Sequence, residues 1–404
     1  MNSACIHIKT LSLWFFLGCI FFSATGFCLE VGEIWKDEKG NQYAIVKKLG
    51  SGSYSDVVQV TCVKGPQKGQ TTAMKFANNT IYTTAKETTQ IYSSKEYQEL
   101  IRDDPKHILR YESPQFVWLG TGDSTEKRIV VRSELASSTL DSKSPFTLSP
   151  EKQRLRARIV YEEGDEALLA LARKGLVHGD IKPANFLNVN GTIKLGDLDG
   201  LTKQGTSSVT FSAYYAAPER LVYSNALAAF PTEDAFAQAQ VVSHQLFPIP
   251  LLGQYIKDLH GDGRLQNILF YMRRVDQLRS SPEEQNDFRQ YVEKQLDSLA
   301  LTTETEQNMK RFLKAAYEIN PIMRAEHLKK EFPETFGKAY EQSGFNTILS
   351  LLKSGGGIKT AVAKTEPATE QILNNVNIAS EKTKIILPNP SNCILTLTRV
   401  ADFL

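Results

Sequence analysis

The chain has 404 residues, of which 41% are hydrophobic and 23% charged. That is the balance of a globular protein with a sizeable core, and the length suits roughly two to three domain-sized units. A net charge of +2, with lysines and arginines scattered rather than in runs, speaks against a nucleic-acid partner. Five cysteines are too few and too dispersed for a disulfide framework or a zinc cluster, and Cys28, Cys62 and Cys393 read as small or incidental thiols.

Residues 1–26 have Lys9 as their clear charge, then the apolar run Leu11–Phe22, then Ala24 and Gly26 at the two positions a signal peptidase reads. A secretory signal peptide cut after Gly26 is expected. The uncharged stretch Thr10–Leu29 comes close to the ~20 residues of a spanning helix, so an uncleaved membrane anchor is the alternative. Cys28 follows the bulky Phe27 and is a poor lipidation site.

Beyond the leader, Tyr43–Leu49 alternates apolar and polar residues, Val57–Val63 is rich in β-branched ones, and Thr71–Ala77 is a third such run; three strands are expected. The first two flank Gly50-Ser51-Gly52-Ser53-Tyr54-Ser55, a glycine turn whose backbone can approach a phosphate, although such a turn alone is more often structural. Lys75 lies in the third strand between apolar neighbours and needs a partner. Thr84–Arg102 reads as a helix carrying Glu96 and Glu99. Phe116–Leu119 and Arg128–Arg132 read as two further strands around a polar turn, and Pro150–Lys174 as a long amphipathic helix.

The chemically densest stretch is His178–Asp199. Asp180, Lys182 and Asn185 fall within six residues, a short hairpin follows, and then Asp197 and Asp199. A carboxylate to take a proton, an amide and a second carboxylate to hold a metal, and a lysine for a phosphate suit phosphoryl transfer, which is mostly positioning and charge neutralisation.

In this order the glycine turn, Lys75, HGDIKPAN, KLGDLDG and Ala217-Pro218-Glu219 resemble the motifs of eukaryotic-type (Hanks-type) Ser/Thr protein kinases. The resemblance covers Val31–Phe336. It implies an α+β, bilobal protein-kinase-like fold, with a small β-rich N-lobe over 31–135 and a larger helical C-lobe over 136–336. Residues 337–404 then form a helical extension, a linker at Ser354–Gly357 and a C-terminal tail. ATP and Mg²⁺ are the implied cofactors and a Ser/Thr-containing protein the implied substrate. Leu49, Gly50, Gly52, Val57 and Ala73 would enclose the nucleotide, and Lys75, oriented by Glu96, would reach its phosphates. Glu134 and Ala136 would offer backbone groups to adenine over a floor of Leu187, and Ser133 would sit behind it as a small gatekeeper. Asp180 would accept the hydroxyl proton, Lys182 would neutralise the moving phosphate, and Asn185 and Asp197 would bind Mg²⁺. Ser212 would contact Asp180 and Lys182, Glu219 would pair with Arg324, and Asp234 would brace the catalytic loop.

Three departures qualify the likeness. Gly179 stands where regulated kinases carry an arginine that reads an activation-loop phosphate, Asp197-Leu198-Asp199-Gly200 replaces Asp-Phe-Gly, and Ser55 replaces the third loop glycine. The first two leave a kinase-fold pseudokinase or binding module as a rival reading, and the short segment Leu201–Ala216 leaves a small-molecule kinase as another. The leader adds an export expectation. The chain would be a secreted kinase, delivered into a host cell as bacterial effector kinases are, unless the leader stays in place as an anchor.

Overall fold

The computed structural model describes residues 29–51, 55–77, 91–119, 126–142, 144–204, 211–223, 229, 231–261 and 267–337. The leader, Gly52, the first part of the Thr84–Arg102 helix, most of the turn before Arg128 and the C-terminal extension and tail lie outside them. The described chain divides into two compact units, one from residues up to 92 together with 111–135, the other from 93–110 together with 136 onward.

The first unit is built of strands. These are β1 (Ile34–Asp37), β2 (Gln42–Ser51), β3 (Ser55–Lys64), β4 (Thr71–Ala77), β5 (Gln115–Leu119) and β6 (Glu126–Ser133). All neighbours pair antiparallel in the order β1-β2-β3-β4-β6-β5, and β1 pairs with β5 to close a barrel. Five of these strands were legible in the sequence, from alternation or from β-branched and apolar runs; β1 was not. It lies between Lys36↔Gln42 on one side and Lys36↔Trp118 on the other, so a four-residue strand is stable here because it is bonded along both edges.

The period-2 alternation sends one side of each strand inward. Trp35, Tyr43, Ile45, Val58, Val60, Cys62, Met74, Phe76, Val117 and Val130 form the barrel core. Trp35, 2% exposed, packs edge-on against Phe76 at 4.4 Å between ring centroids and near Tyr43 at 5.9 Å. Buried Asp37 ends β1 by accepting from the amides of Lys39 (2.9 Å) and Asn41 (2.8 Å) and from the Asn41 side chain (2.8 Å), which shapes the turn into β2. Trp35→Ala should cost about 3–5 kcal/mol, the usual range for emptying a large aromatic site. Urea unfolding of the variant checks this, and a loss under about 1 kcal/mol would show that β1 is not part of the core.

The second unit is helical. It comprises α1 (Lys95–Asp103), α2 (Pro150–Arg173), α3 (Pro218–Tyr223), α4 (Pro231–Ser243), α5 (Leu251–His260), α6 (Ile268–Ser280), α7 (Pro282–Asp297), α8 (Glu304–Ala316) and α9 (Pro321–Glu331). Short strands β7 (Ser138–Thr139), β8 (Leu176–Val177), β9 (Phe186–Val189), β10 (Thr192–Leu195) and β11 (Thr202–Lys203) form two small antiparallel sheets.

Local chemistry sets the helix ends. Ser149 caps α2 with Pro150 in the first turn, Asn320 caps α9 ahead of Pro321, and Thr303 and Glu306 form a reciprocal capping box at α8. Gly175, at φ +64°, lets the chain leave α2. Of the expected Thr84–Arg102 helix, the described residues begin at Ile91, and they are not continuous helix. Ile91–Ser93 is a single 3₁₀ turn, and Ser94, in extended conformation, caps the helix at Lys95 by accepting from the Tyr97 amide at 3.2 Å. A serine hydroxyl that closes the first turn competes with continuing helix upstream.

Helix α4 is buried over its whole length. Its apolar residues pack around it, and each of its polar side chains discussed below has a defined partner, as burial requires. Gln238 donates to the carbonyl of Tyr161 on α2 at 3.1 Å. The two helices meet at Gly164, where an added Cβ would lie 2.7 Å from the Gln238 amide nitrogen.

Candidate active site

Within the helical unit, the segment from β8 to β11 carries the chemistry. His178, fully buried, places its ring between the loop and the strand that follows. Its Nε2 meets the Gly196 carbonyl at 2.9 Å and its Nδ1 faces the Asp180 amide at 3.2 Å. Nδ1 must therefore accept, and the proton sits on Nε2. Asp234, in the first turn of α4, accepts from the amides of His178 (2.7 Å) and Gly179 (2.9 Å). Burial pushes the Asp234 pKa up, while His178 and the two amide bonds pull it back. Gly179 takes φ +78°, a region a side chain rarely enters; the residue that replaces the family arginine is thus also the one the loop backbone favours here.

This anchoring fixes Asp180. Its Oδ2 receives the Lys182 ammonium at 2.6 Å, both side chains being about one-sixth exposed. Its Oδ1 is buried and has no hydrogen-bond partner among the described residues. A carboxylate with one oxygen clamped and the other left over is set to accept a hydroxyl proton. Asn185 sits in the 3₁₀ turn Pro183–Asn185 and donates through Nδ2 to the Asp180 carbonyl at 2.8 Å. Its backbone carbonyl accepts from the Gly196 amide at 2.9 Å.

The hairpin β9–β10 turns at Asn190-Gly191, both with positive φ, the favoured chemistry for a two-residue turn. It brings the chain back to Asp197, itself left-handed at φ +57°. A non-glycine residue there marks a constrained site. Leu198 after it is fully buried, so the leucine that replaces the family phenylalanine is packed as an apolar plug. Asn185 and Asp197 together offer two hard oxygen donors. That is what Mg²⁺ takes from protein when substrate phosphates complete its shell.

The other expected residues distribute by unit. In the barrel, Gly50↔Val57 and Val57↔Lys75 are direct cross-strand partners, and Lys75 continues the row to Val131 on β6. Ala73 pairs with Ser133, whose hydroxyl donates to the Glu134 carbonyl at 3.2 Å. Leu49 is exposed at the end of this region, and Gly52 lies outside the described residues. In the helical unit, Leu187 pairs with Lys194 and Thr139, two residues along from the Asn185 turn, and Ala136 leads into β7.

Glu96 is held by a residue not foreseen. Its carboxylate meets the Lys203 ammonium of β11 at 2.7 Å. Glu99, one turn on, faces Lys95 and Lys174. The expected partner of Glu96, Lys75, belongs to the other unit. The Lys203 hydrogen bond holds the Glu96 pKa below the usual carboxylate range. A depressed acid favours the fold above its unfolded pKa, and that contribution is lost as pH falls through the lowered value. In Lys203→Met, the Glu96 pKa should rise toward the ordinary glutamate range, followed by carboxyl NMR; an unchanged titration would show that Lys203 does not hold it.

The segment closing the site is fastened by buried charge. Glu219 accepts from Arg324 Nη2, as expected, and Arg324 Nη1 donates to the Glu318 carbonyl at 2.8 Å. Beside it, and not foreseen, Arg220 donates through Nε (2.9 Å) and Nη2 (2.5 Å) to Glu233. Two consecutive acids, Glu233-Asp234, opening an otherwise uncharged helix were the signal available for it. Ser212 starts the turn before this segment, its carbonyl accepting from the Tyr215 and Ala216 amides at 2.9 Å each.

Comparison with known proteins agrees with this geometry. The protein kinase domain family profile matches residues 43–330. The chain is 29% identical to mouse "Dual specificity protein kinase TTK" over 192 residues, 45% of this chain and 20% of that protein. It is 29% identical to the Danio rerio "Dual specificity protein kinase Ttk" over 174 residues, 43% of this chain and 16% of that one. It is 26% identical to the "Probable serine/threonine-protein kinase MRK1 homolog" of Encephalitozoon cuniculi over 200 residues, 48% of this chain and 55% of that protein. The matched stretches are thus only part of these relatives, but the profile spans well over half of the present chain, with the acid–lysine–asparagine loop inside it. The chain belongs to the protein kinase domain family.

Proposed function

We propose that the protein transfers the γ-phosphoryl group of ATP to Ser or Thr hydroxyls of protein substrates. The observation that carries this reading is Asp180, one oxygen bound to Lys182 and the other buried and without a hydrogen-bond partner among the described residues. The acceptor hydroxyl oxygen forms a bond to the γ-phosphorus, the bond to the β–γ bridging oxygen breaks, and ADP leaves with that oxygen. Asp180 takes the hydroxyl proton. Lys182, already at the carboxylate, is placed to meet negative charge on the phosphoryl oxygens as it shifts. Asn185 and Asp197 would hold Mg²⁺, which neutralises the phosphates, and Lys75 would bind them from the barrel. Lysine at position 182 supports Ser/Thr over Tyr acceptors by resemblance. The names of the relatives, two dual-specificity kinases and one probable Ser/Thr kinase, agree with a protein substrate.

The leader supports export of the chain, with delivery into a host cell as the setting that would supply ATP; retention as a membrane anchor is the second reading. Among the described residues no helix is long and apolar enough to cross a membrane. Labelled ATP, Mg²⁺ and casein, followed by phosphoamino-acid analysis, test the activity. Label on serine or threonine is expected, and MgATP binding without transfer would favour a pseudokinase. Mass spectrometry of the mature N-terminus tests the leader: a start at Phe27 supports cleavage, and an intact Met1 overturns it.

A further inference from the structure

Two adjacent carboxylates open α4 and face different parts of the site. Asp234 holds the catalytic-loop backbone through the amides of His178 and Gly179. Glu233 holds Arg220 of α3, the helix that ends the segment running from Phe211. Both members of the second pair are almost wholly buried, with side chains 2% and 7% exposed. The same segment is tied to α4 at two more points. Gln240 donates to the Tyr214 carbonyl at 3.3 Å, and the Tyr215 hydroxyl meets His244 Nδ1, just past the helix, at 2.9 Å. Burial and Arg156 both push the His244 pKa down, so a neutral ring accepts from the tyrosine.

The geometry points to Arg220 and Glu233 as positioning residues that set the 211–221 segment in register with the catalytic loop and so with the acceptor hydroxyl at Asp180. The inference rests on the phosphoryl-transfer reading. A buried ion pair is a poor device for stability alone, because desolvation offsets most of its attraction; its best-attested use is to select one arrangement among similar ones. Here the pair sits one residue from the carboxylate that places Asp180, on the first turn of a helix with no exposed face. A shift of the segment is resisted by the same turn that holds the catalytic loop. Apolar residues at 220 and 233 would fill the space but leave the segment held to α4 by only the Tyr214 and Tyr215 contacts.

The test uses the full purified chain as wild type, Glu233→Gln, Arg220→Met and Arg220→Lys. Glutamine keeps the shape and lysine keeps the charge, so folding is spared in at least one variant. Three quantities are read: transfer to casein, ATP hydrolysis to water without acceptor, and amide hydrogen exchange over 211–221. Glu233→Gln and Arg220→Met should lower kcat/KM for casein by about 10- to 100-fold, the scale of an ångström's misplacement, with hydrolysis to water within about twofold. Arg220→Lys should recover part of the loss, and exchange over 211–221 should quicken in the first two variants. Equal falls in both reactions would assign the pair to stability alone, and no fall in either would remove it from the mechanism. A wild type that transfers nothing to casein would sink the kinase reading; unchanged exchange over 211–221 would then sink this inference separately.

Discussion

Asp180→Asn should lower phosphoryl transfer to a protein acceptor by about 10³-fold, within the span attributed to a positioned general base, while MgATP affinity stays near wild type. The substitution keeps the side-chain volume in a site only about one-sixth exposed, so packing is little disturbed. It removes the negative charge that clamps Lys182 and the basic oxygen that takes the proton. A 10³-fold loss corresponds to about 4 kcal/mol of transition-state stabilisation, more than a single neutral hydrogen bond contributes. The fall should appear in kcat, since on the proposed reading Asp180 would meet the acceptor and not the nucleotide. Steady-state kinetics with casein, beside nucleotide binding by calorimetry, separates the two. A variant that retains a tenth of the activity would rule out Asp180 as the base.

Arg324→Met should destabilise the helical unit by about 3–5 kcal/mol, the range for removing one partner of a buried ion pair. Arg324 is fully buried and does three things at once. It pairs with Glu219, donates to the Glu318 carbonyl, and lies over the Phe236 ring at 5.2 Å. Methionine fills the stem's volume but leaves the Glu219 carboxylate, already with one unpartnered oxygen among the described residues, without its counter-charge. Adding Glu219→Gln to Arg324→Met should recover part of the loss, because the stranded charge goes with it. Urea unfolding of the two variants measures both values; a single-variant loss under about 1 kcal/mol would place the pair with weak surface bridges.

The parts of the site legible in the sequence are those that lie close together along it. Asp180, Lys182 and Asn185 are local, and the Asn-Gly turn that returns the chain to Asp197 is written in its own residues. Glu219 and Arg324 are 105 residues apart, and resemblance alone joined them. The strand β1 escaped notice because four residues carry too little alternation, and its second partner, Val117–Trp118, lies some eighty residues on. Glu96 was read from its helix, but its partner Lys203 depends on how β11 pairs with β8, a tertiary fact with no local mark. Arg220 and Glu233 look like ordinary surface charges until burial is known. For the charged residues the missing information was which distant segment covers them.

The closure made by β1 also bears on what can attach to the barrel. A sheet of β2 to β6 alone would expose unpaired amides and carbonyls along β2 and β5, and such borders invite a strand from another chain. Here Ile34–Lys36 satisfies β2 at Gln42–Ala44, and Lys36–Asp37 satisfies β5 at Val117–Trp118. A regulator that binds by strand addition must therefore displace β1 first, and lift Trp35 from its place against Phe76. The same seal removes two nucleation points for intermolecular aggregation.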